Sequence, residues 1–185
     1  MKVQKDWGVF ISQTGSELIA ISGEIGFLPS LIVTNNLPKI SQDNLRFYGE
    51  HGITVRTLPY RPTEDNYYMS ELLNKRVITL HGFLRILPPA FFTRFKGEIY
   101  NGHPGLITEY PELKGKDPQV RAWEGKYPVI GSVVHKVTEG VDEGEVVAVS
   151  SVENKVESLD EMFLTLRRTS LEAWKKFFAK NWKHT

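Results

Sequence analysis

Short apolar runs alternate along this chain with segments whose apolar residues recur every three or four positions. Gly8–Ser12, Ser30–Thr34, Ile53–Leu58 and Arg76–Leu80 are brief, nearly continuous apolar stretches, so each predicts a strand. Between them, Leu18, Ile19 and Ile21 point to a short helix, Ser41 is placed to cap a helix running to Glu50, and Glu64–Asn74 reads as a third helix. Glu98–Asn101, Ser132–Val137 and Glu145–Val152 predict further strands, and Gln119–Glu124 a short helix. Ser158–Asn181 closes the pattern as an amphipathic helix, with Leu159, Met162, Phe163, Leu166, Ser170, Trp174, Phe177 and Phe178 at helical spacing.

Continuous apolar strands, rather than strictly alternating ones, suit a parallel sheet covered on both faces. Strand–helix–strand spacing then predicts an α/β fold: a doubly wound, mostly parallel twisted sheet with helices on both faces and a C-terminal amphipathic helix. The 185 residues suffice for one domain with a substantial core.

Composition narrows the chemistry. With 23 basic and 22 acidic residues the net charge is +1, so no whole-molecule attraction to nucleic acid or membrane is expected. The absence of cysteine removes disulfides, thiol catalysis and thiolate metal sites. The opening residues lack the apolar core of a signal peptide, and no apolar run approaches bilayer-spanning length. The expectation is a cytoplasmic protein. The segment from Arg167 onward is basic (Arg167, Arg168, Lys175, Lys176, Lys180 and Lys183 against Glu172), which reads as the solvated face of the last helix, with an RNA contact as the other possibility. His51, His81, His103, His135 and His184 show no metal-binding spacing, so no metal is expected.

Three polar clusters fall where strands end, the edge of an open α/β sheet at which ligands sit. Ser12-Gln13-Thr14-Gly15-Ser16 precedes a helix and offers backbone N–H groups to a phosphate, although a capped tight turn explains it as well. Asn101 and His103 are two apart, so on a strand end they share a side; an amide donor beside an imidazole suits acyl transfer. Asn101-Gly102 and His103-Pro104 equally suit a turn. Glu139-Gly140-Val141-Asp142-Glu143-Gly144 is an acidic, glycine-bracketed turn whose Asp142 could orient a histidine; a plain hairpin turn is the simpler account.

Taken together, these segments resemble the folate-dependent formyltransferases of the glycinamide ribonucleotide transformylase type. The resemblance rests on Val9–Ser16, Leu80–Phe91, Asn101-Gly102-His103-Pro104 and Val137–Gly144, which occur in family order. It implies the Rossmann-like formyltransferase fold, with residues 1–185 as a single catalytic domain. It implies an enzyme of one-carbon metabolism that moves a formyl group from the co-substrate 10-formyltetrahydrofolate to a primary amine, without a metal. Glycinamide ribonucleotide, in purine biosynthesis, is the expected acceptor; an amino-sugar nucleotide or methionyl-tRNA is the alternative, and tRNA is the only nucleic acid in view. Methionyl-tRNA enzymes of the family carry an added C-terminal domain for which this chain ends early. By the same resemblance, Asn101 bonds the formyl oxygen, His103 donates to that oxygen or manages protons, and Asp142 positions His103 and a proton-relaying water. Arg85, Ile86 and Leu87 line the pterin pocket, Gly140, Val141 and Asp142 meet the pterin edge, and Thr14, Gly15 and Ser16 form the substrate phosphate loop.

The chain departs from that pattern in several places. Glu17 stands where the family's loop carries Asn, and Gln13-Thr14 where it carries Gly-Asn. The helper histidine after the Asn-x-His-Pro motif is replaced in a segment containing Lys114 and Asp117. Ser170 aligns with an acid of the last helix, and Gly105, Leu106 and Ile107 with a serine and two leucines. A folate- or nucleotide-binding module without catalysis is disfavoured, because a mere binder needs no joint presence of Asn101, His103 and Asp142.

Overall fold

The computed structural model describes residues 1–182. Lys183 of the basic segment and His184 of the histidine set lie outside the described residues. Seven strands form one sheet: β1 (Lys2–Ile11), β2 (Phe27–Thr34), β3 (Thr54–Thr57), β4 (Val77–His81), β5 (Glu98–His103), β6 (Val129–Lys136) and β7 (Val146–Glu153). Their order is β3-β2-β1-β4-β5-β6-β7. The pairs β1–β2, β1–β4 and β2–β3 are parallel, and β6–β7 is antiparallel. The helices are α1 (Ser16–Ile25), α2 (Gln42–Glu50), α3 (Ser70–Leu73), α4 (Pro89–Arg94), α5 (Pro118–Gly125) and α6 (Leu159–Asn181). The chain divides into two compact units, Met1–Tyr100 and Asn101–Thr185.

In the first unit, β1 carries the core: Trp7, Val9, Phe10 and Ile11 are fully buried. Phe10 packs its ring against Phe83 at 4.8 Å and against Phe91 edge-on. β1 begins earlier than the apolar run predicts, because Lys2, Val3 and Gln4 pair with Phe27, Leu28 and Pro29 across an irregularity before Gly8. The ladder is a backbone property that hydrophobicity alone does not reveal. At the end of β1, Gly15 adopts φ 75° to turn the chain into α1, and the Tyr48 hydroxyl donates to its carbonyl at 3.4 Å.

One helical expectation here is corrected. Glu64–Asn74 is not one helix but a 3₁₀ turn at Glu64–Tyr67 followed by α3. A capping box between Thr63 and Asn66 opens the turn, and extended backbone at Met69 (φ −72°, ψ 134°) separates it from α3. The Pro88-Pro89 pair, read as part of a pocket segment, opens α4, with Pro89 in the first turn where its missing N–H costs nothing.

In the second unit, Leu106, Ile107, Leu113, Ala122, Ile130, Val133, Met162 and Leu166 form one apolar cluster. Ser158 caps α6 by accepting from the Glu161 N–H at 3.2 Å. Met162, Leu166, Ser170, Trp174, Phe177 and Phe178 are buried as the spacing predicts, together with Thr169 and Ala173. Phe163 is the exception: it is 44% exposed, one step off the buried stripe. Among the described residues no helix is long and apolar enough to cross a membrane.

Candidate active site

Asn101 and His103 stand on β5, and the turn between β6 and β7 carries Asp142. The structure brings these three together and adds a fourth member, His135 of β6. Asp142 Oδ2 lies 3.3 Å from His103 Nδ1, and its Oδ1 lies 3.2 Å from His135 Nε2. The Asn101 Nδ2 stands 3.3 Å from the same His135 Nε2. Both imidazoles are buried, and the Asp142 side chain is only 10% exposed.

Each imidazole is held from behind by a carbonyl. His103 Nε2 bonds Leu113 O at 2.9 Å, and His135 Nδ1 bonds Lys136 O at 3.0 Å. A carbonyl can only accept, so both of those nitrogens carry hydrogens. In a neutral ring the opposite nitrogen is then a bare lone pair, and here both lone pairs face one carboxylate. A hydrogen bond across either contact therefore requires an added proton. His135 consequently has two options at Nε2: as a lone pair it accepts from Asn101, and as N–H it donates to Asp142.

Burial pushes His103 below its ordinary value, and the charges of His135 and Arg121 add to this; Asp142 and the Leu113 carbonyl pull the other way. Burial alone would raise Asp142. The His135 hydrogen bond, the His103 charge and the Gly115 N–H overcome it and bring the carboxyl down to about 2. At neutral pH the site thus holds a carboxylate beside an imidazole kept ready to accept a proton.

The backbone is shaped for this. Asp142 sits at φ 53°, a left-handed conformation costly for a residue with a side chain, which aims its carboxylate at the two histidines. Gly115 N–H donates to Asp142 Oδ2 at 2.9 Å, so the segment in which the family places a helper histidine contributes a backbone amide here. Between Asn101 and His103, a Cβ on Gly102 would come 2.6 Å from Trp174 Nε1, which leaves room there for hydrogen alone. Among the described residues no group of three or more acidic or histidine side chains is arranged to hold a metal ion.

The first unit supplies two other sequence-marked segments. In the loop after β4, Leu87 is buried, whereas Leu84 and Ile86 are 61% and 73% exposed. A closed circuit of hydrogen bonds fixes that loop. Leu84 N–H donates to Ser12 Oγ (2.9 Å), Ser12 Oγ donates to Asn35 Oδ1 (2.6 Å), and Asn35 Nδ2 donates to Tyr60 O (3.0 Å). Arg85 Nε returns to the same Tyr60 carbonyl at 3.0 Å, with its guanidinium 4.6 Å from the Tyr60 ring centre. Arg85 thus spends its side chain on bracing the loop. Exposed Tyr60, Leu84 and Ile86 leave an apolar surface suited to a flat heterocycle.

In the loop after β1, the Thr14 hydroxyl donates to Ser16 Oγ at 3.0 Å and accepts from the Ser16 N–H at 3.3 Å, while Asn44 Nδ2 donates to Thr14 O at 2.9 Å. Glu17 does not stand in isolation. Its Oε2 lies 3.7 Å from Nδ1 of buried His81, whose Nε2 lies 2.9 Å from Thr79 Oγ1, which in turn accepts from the Trp7 indole at 2.8 Å. In the turn after β6, Gly140 is partly buried and Val141 is 50% exposed.

His135 and Arg121 are the residues that sequence reasoning passed over. His135 interrupts an apolar strand seven residues before Asp142, a spacing that the loop between β6 and β7 brings together. Arg121 carries no comparable mark.

With this geometry in view, the comparisons with known proteins are specific. Residues 51–173 match the family described as Formyl transferase, and the chain belongs to that family. It is 31% identical over 159 residues to the trifunctional purine biosynthetic protein adenosine-3 of Gallus gallus, with 80% of this chain aligned to 15% of that protein. It is 29% identical over 153 residues to phosphoribosylglycinamide formyltransferase of Escherichia coli K12, covering 78% of this chain and 71% of the other. Among solved structures, phosphoribosylglycinamide formyltransferase from Anaplasma phagocytophilum superposes with a TM-score of 0.74 at 26% identity, over 92% of this chain and 81% of that one. The Brucella melitensis protein of that name gives 0.77 at 21% identity, over 98% and 100%. The chain therefore spans a small fraction of the length of the trifunctional relative and 71% of that of the Escherichia coli protein.

Proposed function

We propose that this chain transfers the formyl group of 10-formyltetrahydrofolate to a primary amine, with glycinamide ribonucleotide as the acceptor in purine synthesis. The observation that carries the reading is the convergence of Asn101, His103 and His135 on or beside the single carboxylate of Asp142. Residues 1–185 act as one catalytic domain, with small-molecule partners and a cytoplasmic setting.

In this reading the amine attacks the formyl carbon, oxygen gains negative charge and nitrogen positive charge. The Asn101 amide stabilises the oxygen, exchanging its contact with His135 Nε2 for one with the substrate. His103 manages the proton rather than the oxygen: its Nε2 is committed to Leu113 O, and its Nδ1 faces the Asp142 carboxylate. The proton lost by the amine passes to the His103–Asp142 pair, by way of water, and is returned to the folate nitrogen as the carbon–nitrogen bond to the donor breaks. The products are the formamide and tetrahydrofolate. In the first unit, exposed Tyr60, Leu84 and Ile86 suit the apolar face of the folate, with backbone from Arg85 to Leu87 meeting its polar edge. Thr14, Gly15 and Ser16 would receive the acceptor's phosphate. One observation favours a second reading with a different amine: Glu17 places a carboxylate beside that loop, where a phosphate dianion is repelled.

The test is formyl transfer from 10-formyl-5,8-dideazafolate to glycinamide ribonucleotide, followed by absorbance of the released folate analogue. Saturable turnover lost in His103→Ala is expected. Tight analogue binding without turnover would leave the donor reading standing and reject the acceptor; no binding at all would reject both.

A further inference from the structure

Arg121, on α5, makes contacts that a solvated helix charge does not need. Its Nη1 donates to Glu112 O, and its Nη2 donates to Leu113 O at 3.1 Å and to Lys114 O at 2.8 Å. Three successive carbonyls, belonging to the 3₁₀ turn Pro111–Leu113 and the residue after it, are thus gathered by one guanidinium. The middle carbonyl is the one that receives His103 Nε2. Two residues further on, the Gly115 N–H holds Asp142. A single short segment, 112–115, therefore carries the backbone anchors of both acid–base partners, and Arg121 clamps it.

The geometry points to Arg121 as a positioning residue for formyl transfer, one that fixes the Leu113 carbonyl and through it the orientation of His103. This rests on the reading of His103 as the proton-handling group. The residue's role is not confined to bracing a turn. That task already has a second agent: the Tyr127 hydroxyl bonds Glu112 Oε1 at 2.6 Å, and its ring stacks on Tyr110 at 4.1 Å. What Arg121 adds is a fork that places one particular oxygen, and a fixed positive charge near a buried imidazole. The charged and titratable groups acting on His103 are Asp142 and His135 from the β6–β7 side and Arg121 from α5. Asp142 draws a proton onto the ring, whereas His135 and Arg121 oppose it. Removing the guanidinium therefore tips His103 toward its protonated form, which can no longer accept the amine's proton.

Two variants separate placement from charge. Arg121→Lys keeps the charge and loses the fork; Arg121→Gln loses both. Each is expected to lower kcat at least about tenfold, with KM for 10-formyl-5,8-dideazafolate and for glycinamide ribonucleotide within about twofold of the parent, because misplacing a catalytic group acts on the chemical step. The acid limb of the kcat–pH profile should move to higher pH in Arg121→Gln and stay in place in Arg121→Lys. Independently of turnover, the His103 ring is followed by NMR titration of histidine-labelled protein, in which its midpoint should rise in Arg121→Gln. This keeps the test sound if the parent protein fails to use glycinamide ribonucleotide, which is a failure of the functional reading alone. If Arg121→Gln does not fold, the kcat loss of Arg121→Lys at unchanged KM decides the matter. A kcat within twofold of the parent in Arg121→Lys, or a His103 midpoint unmoved in folded Arg121→Gln, would overturn the proposal.

Discussion

Two buried histidines of this protein, His81 and His103, each stand beside a carboxylate, yet they are built on opposite principles. His103 has one nitrogen on a carbonyl, which can only accept, and His135 repeats the arrangement on the other side of Asp142. In the neutral form of each ring, the carbonyl thereby dictates which nitrogen carries the hydrogen. His81 has its Nε2 on the Thr79 hydroxyl, which can donate or accept. Its tautomer follows whatever Glu17 requires, and the carboxylate is farther away, at 3.7 Å, and 29% exposed. The lesson is that partner type, more than burial, decides whether a histidine's tautomer is fixed or free to follow its neighbours.

The comparison breaks most severely at its centre. Asp142→Asn keeps the shape but removes the charge that organises both imidazoles, and kcat for formyl transfer should fall by roughly a thousandfold, in the range of lost acid–base and electrostatic catalysis. A loss below about tenfold would mean that the three groups do not act as a unit. His135→Asn leaves Asp142 with His103 and the Gly115 amide, so an intermediate loss of about ten- to a hundredfold in kcat is expected from the same assay.

Acid stability sharpens the contrast. The folded-state pKa of Asp142 is depressed to about 2 from an ordinary 3.8. Its contribution is therefore complete above about pH 4 and is lost as the pH falls toward 2, an effect on the order of 2 kcal/mol. Chemical denaturation at pH 5 and pH 2.5 should show that increment in the parent and its absence in Asp142→Asn. In the other system, Thr79→Val removes the hydroxyl that joins Trp7 to His81 and should cost about 1–3 kcal/mol of stability, read from the thermal midpoint. No such side-chain deletion exists for the carbonyl anchors of His103 and His135. Smallest of all, Glu17→Gln should lower KM for glycinamide ribonucleotide about threefold, the size of one like-charge contact in a solvated loop. An unchanged KM would place the phosphate elsewhere.

Much of this was legible from residues alone, for identifiable reasons. The parallel strands announce themselves because both faces are covered, and Ser41 and Ser158 mark helix starts through a bond that the residue type itself makes. Asn101, His103 and Asp142 are visible as motif members. His135 was not, since a histidine in an apolar strand is indistinguishable from a satisfied core residue until the β6–β7 turn brings Asp142 back to it. Arg121 is invisible for another reason: its partners are carbonyls, which every sequence possesses at every position. Phe163 misled because helical spacing identifies a stripe only to within one residue at its margin. The break at Met69 was hidden because Glu64–Asn74 contains enough helix formers to mask a change of backbone direction.

The close approach of Trp174 to Gly102 has a consequence for how this lineage can drift. Any side chain between the asparagine and the histidine of the motif would collide with the indole. The middle position is thus locked by a residue some seventy places away on α6, and the two can change only as a pair. A descendant that replaces the glycine must first, or at once, shrink the tryptophan.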